Sequence, residues 1–345
     1  MKIAGVAYPL PPMEASTADA LPTDGDWQYE PKWDGFRCVA YRDGDTVKLQ
    51  SKSGQPLERY FPEVVERLLK VGATTFVLDG ELVVPVGKSL SFDDLLQRIH
   101  PAASRILKLS KERPAWLVVF DLLVNGQRVF LDEPLEVRRP ALEAFMKARG
   151  ASGNGVEISP ASLDVTTANK WLSGSGSALD GVIAKRLGVP YSSGDRKGMV
   201  KVKRRRTADC VVGGFRYGTK SKVVGSLLLG LYDKSGTLHQ IGFTSGITVE
   251  QRKALTPKLE SLKGGPGFTG RAPGGPSRWS TERSSEWVPL KPVLVVEVGY
   301  DHFSQGRFRH GTKFLHWRPD KAPSQCTMDQ VEHKSAGLAV LRSEN

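Results

Sequence analysis

A run of three arginines, Arg204-Arg205-Arg206, divides this chain of 345 residues into two parts with different patterning. Before the run, segments with strand character are mixed with segments of helical periodicity. After it, four strand segments accompany one helical segment. Since each domain buries its own layered core, this change predicts a domain boundary, which we expect between residues 205 and 206.

The first part has the pattern of an α+β domain with antiparallel sheets and outer helices. A hairpin is indicated by Asp43-Gly44-Asp45 between two apolar runs at 36–41 and 46–50, which places Lys32 just before a strand. Helical spacing and β-branched runs predict the remaining elements, which are helices at 60–71 and 134–149 and strands at 76–84 and 116–124.

The second part favours a small Greek-key barrel of the oligonucleotide-binding type, although periodicity alone does not separate it from other small barrels. Residues 263–285 are rich in Gly, Pro and Ser and predict a long mobile loop, either a DNA contact or a plain linker. Residues 322–345 read as a polar tail. The predicted elements are strands at 208–215, 223–232, 238–243 and 292–300 and a helix at 249–262.

Charge is distributed unevenly between the two parts. Residues 1–200 carry 25 basic and 25 acidic side chains, whereas residues 201–345 carry 24 and 12. This asymmetry indicates a surface that binds a polyanion in the second part. Three widely spaced cysteines suggest neither a zinc module nor a disulfide framework, and no membrane span or leader is indicated, so a cytosolic protein is expected.

Near the start of the chain, Lys32 stands in the pattern Lys-x-Asp-Gly. A lysine amine can attack the α-phosphorus of a nucleotide and hold the nucleoside monophosphate as a phosphoramidate. An ordinary lysine has a pKa of about 10.4, so neighbouring cations, a metal ion or burial must lower that pKa before the amine becomes a nucleophile.

Six further motifs follow in a fixed order: Ser51-Lys52-Ser53-Gly54, Leu78-Asp79-Gly80-Glu81-Leu82, Val119-Phe120-Asp121-Leu122-Leu123, Asp180-Gly181-Val182-Ile183-Ala184-Lys185, Lys201-Val202-Lys203 and Arg318-Pro319-Asp320-Lys321. With the lysine motif, the series resembles the covalent nucleotidyltransferases, in particular ATP-dependent DNA ligases of the short bacterial C type. The resemblance extends from residue 30 to residue 321. It implies an adenylation domain at 1–205, an OB-fold domain that binds DNA at 206–321 and a tail at 322–345.

The resemblance also implies roles for the motif residues. Lys32 would carry AMP, Asp34 would belong to the same catalytic motif, and Glu81 and Asp180 would hold Mg²⁺ or Mn²⁺. Lys201 and Lys203 would stabilise the transition state and, with Lys185, lower the pKa of Lys32. The residues implied to bind ATP are Glu30, Phe120 and Ile183 around the base and Arg37, Lys52, Glu81, Lys185, Lys201, Lys203, Arg318 and Lys321 around the ribose and phosphates.

Three positions depart from the family pattern: Lys52 replaces an arginine, Asp180 a glutamate and Met199 a tryptophan. The resemblance implies a monomer that seals nicks in duplex DNA during repair in the bacterial cytosol, with a repair polymerase as a candidate partner and no membrane association. Two alternatives stay open within the sequence, an RNA ligase or mRNA capping guanylyltransferase and a non-catalytic protein that binds nucleic acid.

Overall fold

The computed structural model describes residues 1–148, 155–174, 179–274, 286–332 and 337–342. Contacts within the chain divide it into two compact units. One unit consists of residues 1–204 with 334–345, and the other consists of residues 205–333. The division therefore lies inside the arginine run.

The first unit contains two large sheets with helices around them. Its strands are β1 (Lys2–Ile3), β2 (Val6–Ala7), β3 (Ser16–Ala18), β4 (Trp27–Trp33), β5 (Phe36–Asp43), β6 (Thr46–Ser51), β7 (Thr75–Val83), β8 (Pro85–Val86), β9 (Ser89–Leu90), β10 (Trp116–Asn125), β11 (Arg128–Val129), β12 (Val156–Ile158), β13 (Leu179–Arg186) and β14 (Met199–Lys203). Its helices are α1 (Pro62–Lys70), α2 (Phe92–Gln97), α3 (Ala103–Glu112), α4 (Leu135–Ala148) and α5 (Val165–Gly174).

A six-stranded sheet has the order β11-β10-β7-β5-β6, with β12 parallel to β10, and a four-stranded sheet has the order β3-β14-β13-β4. The two sheets share a core in which Val83 and Val118 of the larger sheet pack with Val182 and Ala184 of the smaller one. The other face of the larger sheet packs against α1 and α4. The predicted hairpin and the predicted strands and helices of this unit are all present, with ends shifted by one or two residues.

Lys32 lies just before the predicted strand, since β5 begins at Phe36, but it also lies within a strand that was not predicted. It is the second-last residue of β4, and only Asp34 and Gly35 separate β4 from β5. At Gly35 the chain crosses from the smaller sheet to the larger one and lies against the backbone of Leu82. A Cβ atom on Gly35 would lie 2.2 Å from the carbonyl oxygen of Leu82, so this position has no room for a side chain.

The second unit has a sheet in the order β17-β16-β15-β19-β22, with β18 pairing on β15. Its capped helix begins after Thr248, whose side chain and that of Gln251 form a capping box. Its elements are β15 (Arg206–Tyr217), β16 (Val224–Tyr232), β17 (Leu238–Thr244), α6 (Val249–Glu260), β18 (Val288–Pro289), β19 (Val295–Tyr300), β20 (Phe303–Ser304), β21 (Arg307–Phe308) and β22 (Lys313–Trp317).

The C-terminal region differs from the predicted polar tail. Cys326 and Val331 are buried in the core of the second unit, and α7 (Gly337–Arg342) belongs to the first. Of the predicted loop at 263–285, Phe268 also packs in the second core, while residues 275–285 lie outside the described residues. No helix in the described ranges is long and apolar enough to cross a membrane.

Candidate active site

A cavity of about 890 Å³ opens between the two large sheets of the first unit, a size typical of small-molecule sites. One wall comes from β4, β13 and β14, and the opposite wall comes from β5, β7, β10 and the end of β6. The N-terminal residues Pro12 to Ala15 close one side. Nine residues predicted for the site line this cavity: Glu30, Lys32, Arg37, Lys52, Glu81, Phe120, Ile183, Lys185 and Lys201.

The register of the smaller sheet explains how residues far apart in sequence meet. Ile183 lies opposite Glu30 on one neighbouring strand and opposite Lys201 on the other. Since side chains alternate between the faces of a strand, Ile183 faces the cavity while its neighbours Val182 and Ala184 are buried in the core. Side chains from three separate motifs, Glu30, Ile183 and Lys201, therefore lie side by side in one row across the cavity wall.

The amine of Lys32 forms an ion pair with Asp180, and their side chains are 23% and 9% exposed. The next residue, Gly181, lies opposite both Lys32 and Lys203 in the sheet. Its φ is +149°, and a Cβ there would lie 2.0 Å from the carbonyl oxygen of Val202. A glycine is therefore required where Asp180 approaches Lys32.

Charges around Lys32 oppose its activation. Burial alone would lower the pKa of Lys32, but the adjacent Asp180 carboxylate, with Glu81 and Asp34 at greater distance, raises that pKa above its ordinary value. In this arrangement the carboxylates, rather than the neighbouring lysines, set the direction of the shift in the pKa of Lys32. The carboxylate charges must be neutralised or displaced before the amine can act as a nucleophile.

Arg37 is held by a carboxylate that the sequence analysis did not assign to the site. Both oxygens of the fully buried Asp79 accept hydrogen bonds from Arg37, at 2.6 and 2.5 Å, and Asp79 also accepts one from Tyr191 at 2.6 Å. The guanidinium lies 4.7 Å from the centre of the Phe120 ring. Asp79 stands two residues before Glu81 in its motif, but nothing in the sequence indicated Tyr191.

Glu81 projects from β7 into the cavity directly opposite Arg37 in the register of the sheet. Burial raises the pKa of Glu81 to about 7, although the charges of Arg37 and Lys32 oppose this rise. A carboxylate in this environment gains stability from any cation that binds to it.

The predicted base site contains a buried ion pair. Lys185 lies 2.8 Å from Glu30, whose carboxylate also accepts a hydrogen bond of 2.7 Å from Gln28. The amine of Lys185 is 4.7 Å from the centre of the Phe120 ring, which lies across the cavity. Lys185 therefore neutralises Glu30 in this structure, in contrast to the prediction that it supplies a charge to the α-phosphate.

Lys52 and Lys201 lie at the mouth of the cavity with two residues that the sequence analysis did not single out. Glu14 pairs with Lys52 at 3.1 Å and with Arg196 at 3.4 Å. Burial and the charges of Lys32 and Lys52 lower the pKa of Lys201. Lys203, two residues further along β14, is exposed and does not line the cavity.

Arg318 and Lys321 belong to the second unit. Both bind Asp209, Arg318 through Nη1 at 2.9 and 3.1 Å and Lys321 through Nζ at 2.5 Å. Arg318 also pairs with Asp320 at 2.8 Å. Asp209 was not predicted as a functional residue.

Two acidic residues near Lys32, Glu81 in the cavity wall and Asp180 in the ion pair, suit a metal ion that keeps most of its water. Within the described ranges, no three His, Cys, Asp or Glu residues form a cluster that could hold a metal by themselves. Mg²⁺, however, commonly takes only one or two carboxylates together with water and substrate phosphates. Glu81 and Asp180, which both act on Lys32, fit that requirement.

Comparisons with known proteins match both parts of the chain to one family. Residues 12–203 match the ATP dependent DNA ligase domain, and residues 220–321 match the ATP dependent DNA ligase C terminal region. The chain is 45% identical to DNA ligase C1 of Mycolicibacterium smegmatis and 39% identical to DNA ligase C of Mycobacterium tuberculosis, with 95% of this chain and 95% of each relative covered.

A solved structure from a study of Lig E DNA ligases is similar in fold, with a TM-score of 0.53 at 16% identity over 89% of this chain and 98% of that chain. The prediction of an α+β fold with adenylation and OB-fold domains is confirmed. The relatives are DNA ligases, which decides against the two alternatives that the sequence left open.

Proposed function

The chain belongs to the ATP-dependent DNA ligases, and on that premise we propose that Lys32 is the residue that receives AMP from ATP. The observation that supports this assignment is the placement of Lys32 in a cavity that also presents Glu30, Ile183 and Lys201 as one row. Its proximity to Asp180 gives the amine a fixed position before any nucleotide arrives.

The proposed reaction has three phosphoryl transfers at this one site. First, Lys32 Nζ bonds to the α-phosphorus, pyrophosphate leaves with the electrons of the broken P–O bond, and the lysine proton passes to solvent. Next, an oxygen of the 5′-phosphate at a nick attacks the same phosphorus and releases Lys32. Finally, the 3′-hydroxyl attacks the 5′-phosphorus and releases AMP. Position and charge supply most of the catalysis in such transfers.

We propose that adenine stacks between Phe120 and Ile183. Phe120 is held by contacts with Arg37 and Lys185, whose charges both lie 4.7 Å from the centre of its ring. With the Glu30 carboxylate already bound to Lys185 and Gln28, its remaining acceptor capacity or the adjacent backbone would receive the exocyclic amine of adenine. Guanine has a carbonyl at that position, so ATP would be preferred to GTP.

Mg²⁺ is proposed to bind Glu81 and Asp180, where it would neutralise the two carboxylates and part of the triphosphate charge. The raised pKa values of Lys32 and Glu81 support this assignment. A cation bound to the carboxylates would neutralise the charges that raise the pKa of Lys32, and it would stabilise the ionised form of Glu81, which burial disfavours. Lys52 and Lys201 at the mouth are then assigned to phosphates of the nucleotide or of the nick.

We also propose that residues 1–205 form the domain that carries out adenylation and that residues 206–321 form the domain that binds DNA. The excess of basic residues after position 200 supports the DNA role of the second unit. Arg318 and Lys321 are proposed to act on the β- and γ-phosphates of ATP, and Lys203 is assigned to the reacting phosphates. A monomer that works in the bacterial cytosol beside a repair polymerase is the setting we propose.

Incubation with ATP or GTP labelled at the α-phosphate tests the assignment of Lys32. The protein should form an acid-labile covalent adduct with ATP, whereas Lys32→Ala and Lys32→Arg should form none. The arginine variant keeps the positive charge beside Asp180, so it controls for loss of the ion pair. Lys48→Arg is the matched control on β6, where Lys48 pairs with Glu58 away from the cavity. Undiminished labelling of Lys32→Arg would contradict the proposal.

A further inference from the structure

Asp209 connects the two cations proposed to act on the triphosphate. It is the fourth residue of β15, and its side chain is 10% exposed. Arg318 donates to both of its oxygens, and Lys321 donates to one of them. One carboxylate, more than 100 residues earlier in the chain, therefore fixes the spacing of Arg318 and Lys321.

The backbone of Asp209 is itself held in place. The side-chain amide of Gln330 accepts a hydrogen bond from the Asp209 N–H at 3.0 Å and donates one to the Asp209 carbonyl at 3.1 Å. The N–H of Arg318 also bonds to the carbonyl of Val295 at 2.9 Å. Both ends of the Asp209–Arg318 contact are thus fixed by hydrogen bonds to the surrounding fold.

The contact leaves donors for another anion. A guanidinium has five N–H groups and an ammonium has three. Among the hydrogen bonds within the described ranges, Arg318 uses Nε and one hydrogen of Nη2 on Asp320 and at most both hydrogens of Nη1 on Asp209. Lys321 uses one hydrogen on Asp209. At least one N–H of Arg318 and two of Lys321 remain for phosphate oxygens, so the cations can bind phosphate without leaving Asp209.

We propose that Asp209 is a positioning residue for the first step of ligation, because it holds Arg318 and Lys321 as one preassembled pair for the departing pyrophosphate. This inference rests on the role proposed above for those two cations. Without Asp209, two long flexible side chains would have to be ordered when the nucleotide binds, at a cost in conformational entropy.

The test compares Asp209→Asn with the unchanged protein in two single-turnover assays, self-adenylylation with labelled ATP and sealing of a nick that already carries AMP. Pyrophosphate takes part only in the first assay. We expect Asp209→Asn to slow self-adenylylation about tenfold or more, the scale of a lost hydrogen bond to a charged group, and to change sealing much less. Gln330→Ala, which leaves all charges in place, should cause a smaller loss in the same assay.

Asp233→Asn is the matched control, since Asp233 is another carboxylate of the second unit that holds a structural cluster, with Ser235, Thr237 and His239. Thermal unfolding of all variants shows whether a slower reaction comes from a less stable protein. If Asp233→Asn and Asp209→Asn lower the unfolding temperature equally and only Asp209→Asn slows adenylylation, a purely structural role is eliminated.

A double-mutant comparison separates this inference from the proposed function. Arg318→Ala with Lys321→Ala should slow self-adenylylation more than sealing, and adding Asp209→Asn should produce little further loss, because Asp209 acts only through the two cations. Equal losses in both steps for the cation variant would overturn their proposed role. A normal rate for Asp209→Asn, or a full additional loss in the triple variant, would overturn the role of Asp209 alone.

Discussion

Asp180 holds the amine of Lys32 in an ion pair, although the two residues are 148 positions apart in the chain. The pair forms because β4 and β13 are neighbours in the smaller sheet. Beside Asp180, Gly181 leaves room for the backbone of the third strand, β14, to approach β13 closely. In this arrangement the proposed nucleophile is held in place and kept protonated by the same carboxylate.

Asp180→Asn should lower the pKa of Lys32, because the Asp180 charge and hydrogen bond raise that pKa. The measurement is the reaction of Lys32 with an amine-selective reagent across a range of pH without nucleotide or metal, followed by peptide mass spectrometry. The midpoint for Lys32 should move to lower pH in the variant. Identical midpoints for Lys32 in both proteins would contradict the assigned cause.

Glu81→Gln should stabilise the protein at pH 8 and have little effect near pH 4. The folded-state pKa of Glu81 is raised to about 7, so the folded protein binds a proton that the unfolded chain releases at lower pH. Stability from this group is therefore lost as pH rises from about 4 to 7, by up to about 3–4 kcal/mol.

Thermal unfolding at the two pH values checks the prediction for Glu81. Added Mg²⁺ should raise the unfolding temperature of the unchanged protein at pH 8 more than that of Glu81→Gln, and the variant should ligate poorly despite its stability. A lower unfolding temperature for the variant at pH 8 would show that Glu81 stabilises the fold.

Phe120→Leu should raise the ATP concentration needed for half-maximal self-adenylylation about tenfold, since stacking of a base on an aromatic ring contributes on the order of 1–3 kcal/mol. Phe120→Tyr keeps the ring and should stay within a few-fold of the unchanged protein. A titration of ATP in single-turnover labelling measures both. If the leucine and tyrosine variants behaved alike, adenine would not stack on this ring.

Affinity for nicked DNA should fall steeply with salt because basic residues after position 200 release counterions from phosphates. Within the arginine run, Arg206 is 7% exposed and donates to the carbonyl of Asp301 at 2.5 Å, so it is structural and unsuited to a DNA test.

Arg204→Glu with Arg205→Glu should weaken nick binding and reduce the slope of log affinity against log salt, with ATP labelling unchanged. Lys234→Glu with Lys253→Glu is a control of equal charge change elsewhere in the second unit. Equal losses for the two double variants would mean that only net charge matters.

The local elements could be predicted from the sequence because their signals are local. The Asp43-Gly44 turn, the apolar periodicity of α1 and α4 and the β-branched runs of β7 and β10 each specify an element within a few residues. The order of the motifs likewise identified nine residues that line the cavity.

The charge partners could not be predicted, because they depend on strand register between distant segments. The pairing of β13 with β4 brings Lys185 to Glu30. The pairing of β5 with β7 brings Arg37 to Asp79. Sequence spacing shows that Lys201 and Lys203 share a face, but it does not show which of the two reaches the cavity.

The two-residue link at Asp34 and Gly35 makes this part of the chain intolerant of changes in length. Because Lys32 lies one residue before the end of β4 and Phe36 begins β5 in the other sheet, a single inserted residue would either turn β5 over, exchanging its cavity and core faces, or move Lys32 away from Asp180. The short hairpin of β8 and β9, which ends at an open turn at Gly87, imposes no such condition. Length variation among related enzymes should therefore accumulate at that hairpin and be absent between the nucleophile and β5.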